Sequence, residues 1–507
     1  MRDLNEFTSW YADWRDLRVA VLGLGVTGFA AADTLAELHA TVLVVAANAT
    51  DERVDLLSVI GADLALHSDP LVVPDQLVEF DPELIIVSPG YRPDHPLIAW
   101  AQGRGIPIWG DVELAWRLRD KVAPPAEWIL VTGTNGKTTT TQLATHLLVA
   151  AGHRAVAAGN IGVPVLDVVR DPVGFEVVVV EVSSFQLHWI PRTGVGALRP
   201  LAAVCLNIAD DHLDWHGSRE AYVESKATVY ANTRVACIYN HEDPVTVSMV
   251  EEADVQEGCR AIGFGRGAPG RSDLGMVGDL IVDRAFLDDR HNSALELTTH
   301  GELAAAGLAA PHMLSNVLAA AALARAYGAS PAHVRAGLAT FELDRHRTEI
   351  VAVAHGITWV NDSKATNPHA ASAALTAFPS VVWIVGGLLK GVDIGSLVAA
   401  HAARLRAAVI IGSDRAEVVA AFARHAPDVP VFEVISAETG LVMPEAVRHA
   451  AAVARIGDAV VLAPAAASMD QFIDYADRGS RFASAVTEHL EGAGDDQSPH
   501  DPAPGSG

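Results

Sequence analysis

A chain of 507 residues predicts about three domains at roughly 150 residues per domain. Half of its residues are hydrophobic and 19% are charged, which excludes disorder along the whole length. Acids outnumber bases 62 to 36, giving a net charge of −26 with no Lys/Arg block, so nucleic acid and anionic membrane are disfavoured as partners. A local basic site for a phosphate stays open. Cys205, Cys237 and Cys259 lack CxxC spacing and support neither a disulfide scaffold nor a cysteine zinc site. The opening MRDLNEFTSWYADWRDL mixes acids with tryptophans where a secretory signal needs a basic start and an apolar run. No uninterrupted apolar stretch approaches the ~18 residues that span a bilayer. The expectation is a cytoplasmic protein without membrane insertion.

In chain order, the first predicted strand, Arg18 to Leu22, runs into GLGVTG, where Gly23, Gly25 and Gly28 spell GxGxxG. A dinucleotide site would place an acid at the end of the next strand, but TVLVVAAN ends on Ala46, Ala47 and Asn48. Amides at this turn can hold a diphosphate of another kind. The strand Leu84 to Val87 leads to the SPG turn, Ser88 to Gly90, and VAPPAE, Val122 to Glu127, then breaks the helical pattern. Further strands are Trp128 to Val131 before TGTNGK and Val177 to Val180 before EVSS. The Gly- and Asp-rich stretch from Gly263 to Asp289 reads as a β-hairpin excursion. After a second boundary at Leu343 to Arg347 comes the strand pattern EIVAVAHGITWVN, then Val381 to Val385 before GGLLKG and Val460 to Leu462 before APAAAS.

Apolar runs followed by small-residue turns and Ala/Leu-rich segments predict an α/β fold, parallel sheets wrapped by helices. Ligands in such sheets lie at the carboxyl ends of the strands. The expected domains are 1–124, 125–344 and 345–490, with a disordered tail over 491–507.

The strongest chemical signal is WILVTGTNGKTTTTQLATHLL: a strand, a tight glycine loop and a helix opening on Lys137 and Thr138. Backbone amides and a helix N-terminus can surround a phosphate, Lys137 can reach terminal phosphates, and Thr138 can ligate Mg²⁺. The strict P-loop spelling fails because Val131 stands where the first glycine belongs. Glu181 ends a buried strand, where a carboxylate is costly unless a cation or donors compensate, so it is either a Mg²⁺ ligand or the cap of a turn. In NIADDHLDWHGSREAYVESKATVY, His212 offers a metal-binding nitrogen, whereas a charged Lys226 would repel a metal. From spacing, Lys226 is expected to pair with Asp210 or Asp211. A role at a metal would require it to lose its charge or become a carbamate.

The set GTNGKTTT, EVSSFQL, DDHLDWHGS followed by a lysine, NDSKATNP, GGLLKG and SMDQFIDYADRGSRF resembles the Mur ligases, most closely their D-glutamate-adding branch, from about Val19 to Phe482. The resemblance implies three domains: a Rossmann-like N-terminal domain for the UDP-sugar, a central P-loop-type ATPase domain and a C-terminal Rossmann-like domain for the amino acid. It implies ATP-driven joining of D-glutamate to UDP-N-acetylmuramoyl-L-alanine through an acyl phosphate by a monomer. A sibling ligase with another carboxylate or amino acid is the alternative.

Carried over by motif, the nucleotide would meet Gly133, Thr134, Asn135, Gly136, Lys137, Thr138 and Thr139 with Asn316, Arg347 and Asp362. Two Mg²⁺ sites would use Thr138 and Glu181, then His212 and Lys226, the lysine now expected as a CO₂-derived carbamate. Lys137, Glu181, His212 and Lys226 form the implied catalytic set. The UDP-sugar substrate would meet Thr27, Gly28, Gly90, Asn160, Ser183 and His212. D-glutamate would meet Lys364, Thr366, Lys390, Ser468, Met469 and Tyr475. The sequence departs from the family pattern at Asn48, where an acid is frequent, and at Met313, where an asparagine is usual.

Overall fold

Unbroken runs of Val, Ile and Leu form strands buried on both faces, as in Leu84–Val87 where all four residues are buried. The computed structural model describes residues 2–67, 69, 72–342, 348–389, 391–436 and 438–495. The chain forms two compact units that divide between Phe341 and Glu342.

The first unit carries two sheets. The first contains β1 (Arg18–Leu22), β2 (Thr41–Ala46), β3 (Asp63–Leu66), β4 (Leu84–Val87) and β5 (Ile108–Gly110). Their order is β3-β2-β1-β4-β5 and every pairing is parallel. The strand order reverses between β1 and β4, so the GLGVTG and SPG turns flank the topological switch point.

The second sheet contains β6 (Glu127–Thr132), β7 (Ala155–Gly159), β8 (Val177–Glu181), β9 (Ala202–Cys205), β10 (Ala236–Asn240), β11 (Arg260–Phe264), β12 (Asp273–Val277), β13 (Leu280–Asp283) and β14 (Leu295–Thr299). Their order is β14-β13-β12-β11-β10-β9-β6-β8-β7. The registers Val131↔Glu181 and Thr132↔Cys205 seat the loop after β6 between the ends of β8 and β9. The expected hairpin is present as antiparallel β12 and β13, and β14 adds to it at the edge of this same sheet.

The second unit carries β15 (Glu349–Ala354), β16 (Ile357–Asn361), β17 (Val381–Gly386), β18 (Leu405–Ile411), β19 (Val431–Glu433) and β20 (Ala459–Leu462). Their order is β15-β16-β20-β17-β18-β19, parallel except for the β15–β16 pair. The last helix, Tyr475–Asp495, runs past Glu491, where the sequence reading begins a tail. Extending an established helix costs little, which corrects residues 491–495 to helix. Residues 496–507 lie outside the described residues.

One hydrophobic core joins the two sheets of the first unit. The N-terminal stretch contributes Phe7 and Trp14, packed edge-on at 4.9 Å, and Trp14 continues to Trp109 at 6.4 Å. The helix Asp111–Leu118 brings Trp116 edge-on to Trp128 of β6 at 5.3 Å. It also buries an Arg117–Glu113 ion pair at 2.8 Å, with the guanidinium over the Trp109 ring. Of the two tryptophans in the N-terminal stretch, Trp14 is a core residue and Trp10 packs against that core partly buried. Trp128→Ala removes a ring only 1% exposed and is expected to cost about 3–5 kcal/mol, read as a lower urea midpoint for the first unit.

Candidate active site

The chain after β6 turns through Gly133 at φ +148° and Gly136 at φ +83°, a left-handed conformation that favours glycine, and enters the helix Lys137–Ala150. A Cβ at Gly133 would lie 2.9 Å from the Leu206 Cβ, and one at Gly136 would collide with the Asn316 carboxamide oxygen. The loop is thus pressed between the end of β9 and the helix Pro311–Tyr327. Asn316 adjoins the loop, and its amide nitrogen points to the Met313 sulfur at 3.9 Å.

The loop amides are partly committed. Thr134 donates its N–H to the Asn207 carbonyl at 2.9 Å, and Asn135 donates to Asn207 Oδ1 at 2.9 Å. Asn207 Nδ2 returns a bond to the Asn135 carbonyl at 3.1 Å. The Thr134 hydroxyl is occupied by the Ala209 backbone and by Tyr222 OH at 2.9 Å. The helix N-terminus that follows has no side-chain cap, a geometry that suits an anion. Asn207, in NIADD, is a site residue that motif reading missed.

Lys137 curls back and donates from Nζ to the carbonyls of Gly133 and Thr134 at 2.9 and 2.8 Å. Lys226, on the helix Arg219–Ala227, donates to the same Gly133 carbonyl at 2.9 Å and stands 4.9 Å from the Tyr222 ring centroid. The pairing expected from spacing is absent: among the described residues no carboxylate makes an ion pair with Lys226. Asp210 bonds Arg219 at 3.1 Å, and Asp211 turns to the His212 backbone at 3.0 Å. The helix points Lys226 inward, away from the exposed turn that precedes it. Burial, and then the charge of Lys137, push the Lys226 ammonium down to about 7.

Glu181 ends β8 and is 2% exposed. Its Oε1 accepts from Asn160 Nδ2 at 2.9 Å, whereas the buried Oε2 has no hydrogen-bond partner among the described residues. A buried carboxylate with one oxygen unmet fits a cation. Asn160, expected at the sugar substrate, orients this carboxylate, and its own N–H bonds the Glu181 carbonyl at 2.9 Å. Ser183 caps the helix Ser184–His188 in a reciprocal box with Gln186, and Gln186 donates to buried Asp111 at 2.9 Å. Burial lifts the Asp111 carboxyl to about 6.

His212 adopts φ +53° just before the helix Leu213–His216, and its ring packs edge-on against Phe185 at 4.7 Å. His216, missed in the sequence, links Ser184 Oγ at 3.0 Å to Ser225 Oγ at 3.5 Å, tying EVSS to the Lys226 helix. Burial and neighbouring cationic groups lower its imidazole to about 4. Among the described residues no three His, Cys, Asp or Glu side chains form a metal cluster. Any cation here would need the hydroxyl, substrate oxygens or a modified lysine to complete its shell.

Toward the first sheet, Trp215 Nε1 donates to the Gly90 carbonyl at 3.4 Å, which brings the SPG turn beside the His212 segment. Thr27 lies in the first turn of the helix Val26–Glu37. A Cβ at Gly28 would collide with the Gly23 carbonyl, and the buried Ser88 hydroxyl facing this turn has no partner among the described residues.

In the second unit Asp362, Lys364 and Thr366 follow β16, and Ser468 and Met469 follow β20. Lys364 Nζ lies 4.9 Å from the Tyr475 ring centroid. Asp362 accepts from the Thr348 N–H at 3.3 Å. Arg347, with its neighbour His346, and Lys390 lie outside the described residues.

Three family models match: a MurD-like N-terminal domain over residues 17–110, a Mur ligase middle domain over 131–324 and a Mur ligase glutamate ligase domain over 346–466. Two solved structures share the fold, the UDP-N-acetylmuramate–alanine ligase of Thermotoga maritima at TM-score 0.54 and 18% identity, and MurF of Acinetobacter baumannii at 0.56 and 16%. The first alignment covers 94% of this chain and 99% of the other, the second 92% and 90%. The chain belongs to the Mur ligase family.

Relatives matched along nearly its whole length include UDP-N-acetylmuramoylalanine–D-glutamate ligases. That of Leifsonia xyli subsp. xyli is 62% identical, covering 99% of this chain and 98% of the relative, and that of Streptomyces avermitilis is 50% identical over 94% and 98%. That of Mycolicibacterium smegmatis is 43% identical over 92% and 96%.

Asn207→Ala removes the two side-chain bonds to Asn135 while keeping the Thr134 bond to the backbone carbonyl, and is expected to weaken ATP binding by about 1–2 kcal/mol, measured as a rise in Kd by titration calorimetry.

Proposed function

We propose that this chain is the ligase that joins D-glutamate to UDP-N-acetylmuramoyl-L-alanine with cleavage of ATP to ADP and phosphate, a cytoplasmic step of peptidoglycan precursor synthesis. The observation that carries the reading is the convergence at Gly133, where a phosphate-type loop, a loop lysine and a second, buried lysine meet beside a carboxylate with an unmet oxygen. The full-length identity to D-glutamate ligases supports the choice of amino acid.

In this reading the helix N-terminus at Gly136 to Thr139 holds the ATP phosphates, and Lys137 swings from the loop carbonyls to the terminal phosphate as it transfers. The substrate carboxylate gains the phosphoryl group and so acquires a leaving group. The D-glutamate amine then attacks the acyl carbon, a proton departs from nitrogen, and phosphate leaves. Thr138 and Glu181 would hold one Mg²⁺, and His212 with carbamylated Lys226 a second. Magnesium needs only one or two protein anions when phosphates supply further oxygens. When bound it neutralises charge on the transferring group. Asn160 fixes the Glu181 carboxylate for that task.

Lys226 suits carbamylation because the neutral amine attacks CO₂, giving a carbamate and releasing a proton. The first domain, 1–124, would hold the UDP-sugar through Thr27, Gly28 and Gly90, with Ser183 and His212 contributed by the second, 125–344. The third, 345–490, would hold D-glutamate through Lys364, Thr366, Lys390, Ser468, Met469 and Tyr475, and the enzyme would act as a monomer. Arg347 and Asp362 would complete the nucleotide site with Asn316.

The direct test is ADP release with ATP, Mg²⁺ and UDP-N-acetylmuramoyl-L-alanine. D-glutamate should be required for turnover, and an equal rate with other amino acids would overturn the reading.

Lys226→Ala should abolish most activity and regain part of it with added acetate; full activity in the variant would refute the carbamate. Because the reactant is the unprotonated amine, carbamate occupancy at fixed CO₂ should rise with pH through about 7, followed by ¹³C NMR with labelled CO₂. Lys364→Ala should raise KM for D-glutamate far more than KM for ATP in steady-state assays.

A further inference from the structure

Arg478 lies in the first turns of the last helix and its residue is fully buried, at 0% exposure. Its Nε donates to Ser363 Oγ at 2.9 Å and its Nη2 to the Ser363 carbonyl at 2.8 Å. Its Nη1 donates to the Ala466 carbonyl at 3.2 Å. The Ser363 hydroxyl passes its own proton to the Tyr475 carbonyl at 2.7 Å. A Cβ on Gly387 would stand 3.3 Å from Nη1, so the guanidinium also underlies the GGLLKG turn. At the same point Leu388 and Ala467 exchange backbone hydrogen bonds of 2.9 and 3.0 Å.

One side chain therefore braces the turns that follow β16, β17 and β20. Lys364 and Thr366 lie on the first turn, and Ser468 and Met469 on the third. The charge is as notable as the geometry. The acceptors are carbonyls and a hydroxyl, and among the described residues no carboxylate makes an ion pair with Arg478. Asp470 acts on it through space: its Oδ2 accepts from the Ser413 N–H at 2.7 Å, and its buried Oδ1 has no hydrogen-bond partner among the described residues. Burial lowers the guanidinium to about 9, a penalty that a neutral staple would avoid.

Resting on the amino-acid reading above, we infer that Arg478 is a positioning and specificity residue for the amino-acid acceptor. Its fork fixes the spacing of the turns at these strand ends, and its charge, met by Asp470 only through space, favours a dicarboxylate over a neutral amino acid. The rigid planar fork explains the spacing role, which a lysine could not reproduce. The buried charge acts across a medium that screens it less than water does.

The test uses the full chain with R478Q, R478K and S363A. Readouts are KM for D-glutamate and for ATP, the ratio of kcat/KM for D-glutamate over D-glutamine, and hydroxylamine trapping of the acyl phosphate, which forms before the amino acid reacts. R478Q should raise KM for D-glutamate by roughly tenfold or more and lower the D-glutamate preference by a similar factor, with KM for ATP and hydroxamate yield within about twofold of wild type. R478K should regain part of the preference, since it keeps the charge. S363A should raise KM for D-glutamate while keeping the preference, since it loosens the brace and leaves the charge.

Unchanged KM and preference in R478Q would overturn the inference, as would equal losses for every substrate. Should neither arginine variant fold, S363A decides, and an unchanged KM for D-glutamate overturns it. A wild-type enzyme without D-glutamate dependence would instead sink the proposed function. A D-glutamate-dependent enzyme with a flat variant series would remove only the role of Arg478.

Discussion

Two lysines bonded to one carbonyl oxygen set the electrostatics of the central sheet. Lys137 and Lys226 both donate to the Gly133 carbonyl at 2.9 Å. Two ammonium groups cannot share so small a buried space without cost, and the more buried one yields its proton more readily. Lys226 is that one, 2% exposed. The arrangement depends on Gly133 turning its carbonyl inward at a φ of +148°. It also depends on the inward face of a nine-residue helix whose outward residues meet solvent. A loop that merely cradled an anion would need neither the second lysine nor the tyrosine ring beside it.

The same construction recurs at each sheet. A parallel strand ends, a glycine permits a close approach, and a neighbouring element supplies a polar group. After β1 the group is the Ser88 hydroxyl, after β6 it is Glu181, and after β17 it is the Arg478 fork. Parallel strands force this, since their carboxyl ends all face one way and their connections must cross elsewhere. Chemistry collects where backbone donors and acceptors would otherwise be left unsatisfied.

Much of this was legible in the chain because the relevant residues are contiguous. The strand, loop and helix at Trp128 to Leu148 lie in one stretch, and Glu181 stands at the end of a run of four valines. The hairpin after Gly263 was readable from its turn residues. What escaped were partners far apart in sequence: Asn207 clasps a loop 72 residues away, His216 meets Ser184 across 32, and Arg478 meets Ser363 across 115. Spacing misled where it was used alone. Asp210 and Asp211 are near Lys226 in sequence, yet a helix turns the lysine into the core while Asp210 remains at the surface with Arg219. Asn160 carries a further lesson, since a residue expected at the substrate also orients the carboxylate next to it.

The shared core of the first two sheets limits how the molecule can be taken apart. Trp116 and Trp128 flank the proline-containing link between those sheets and bury each other's rings. A fragment ending at that link would carry Trp116 with one side stripped of its packing, an adhesive apolar surface inviting aggregation. Evolutionary shuffling of the sugar-binding sheet onto another ATPase would meet the same obstacle, because the seam is interior rather than surface. Swapping that module would require redesigning both halves of the tryptophan pair together.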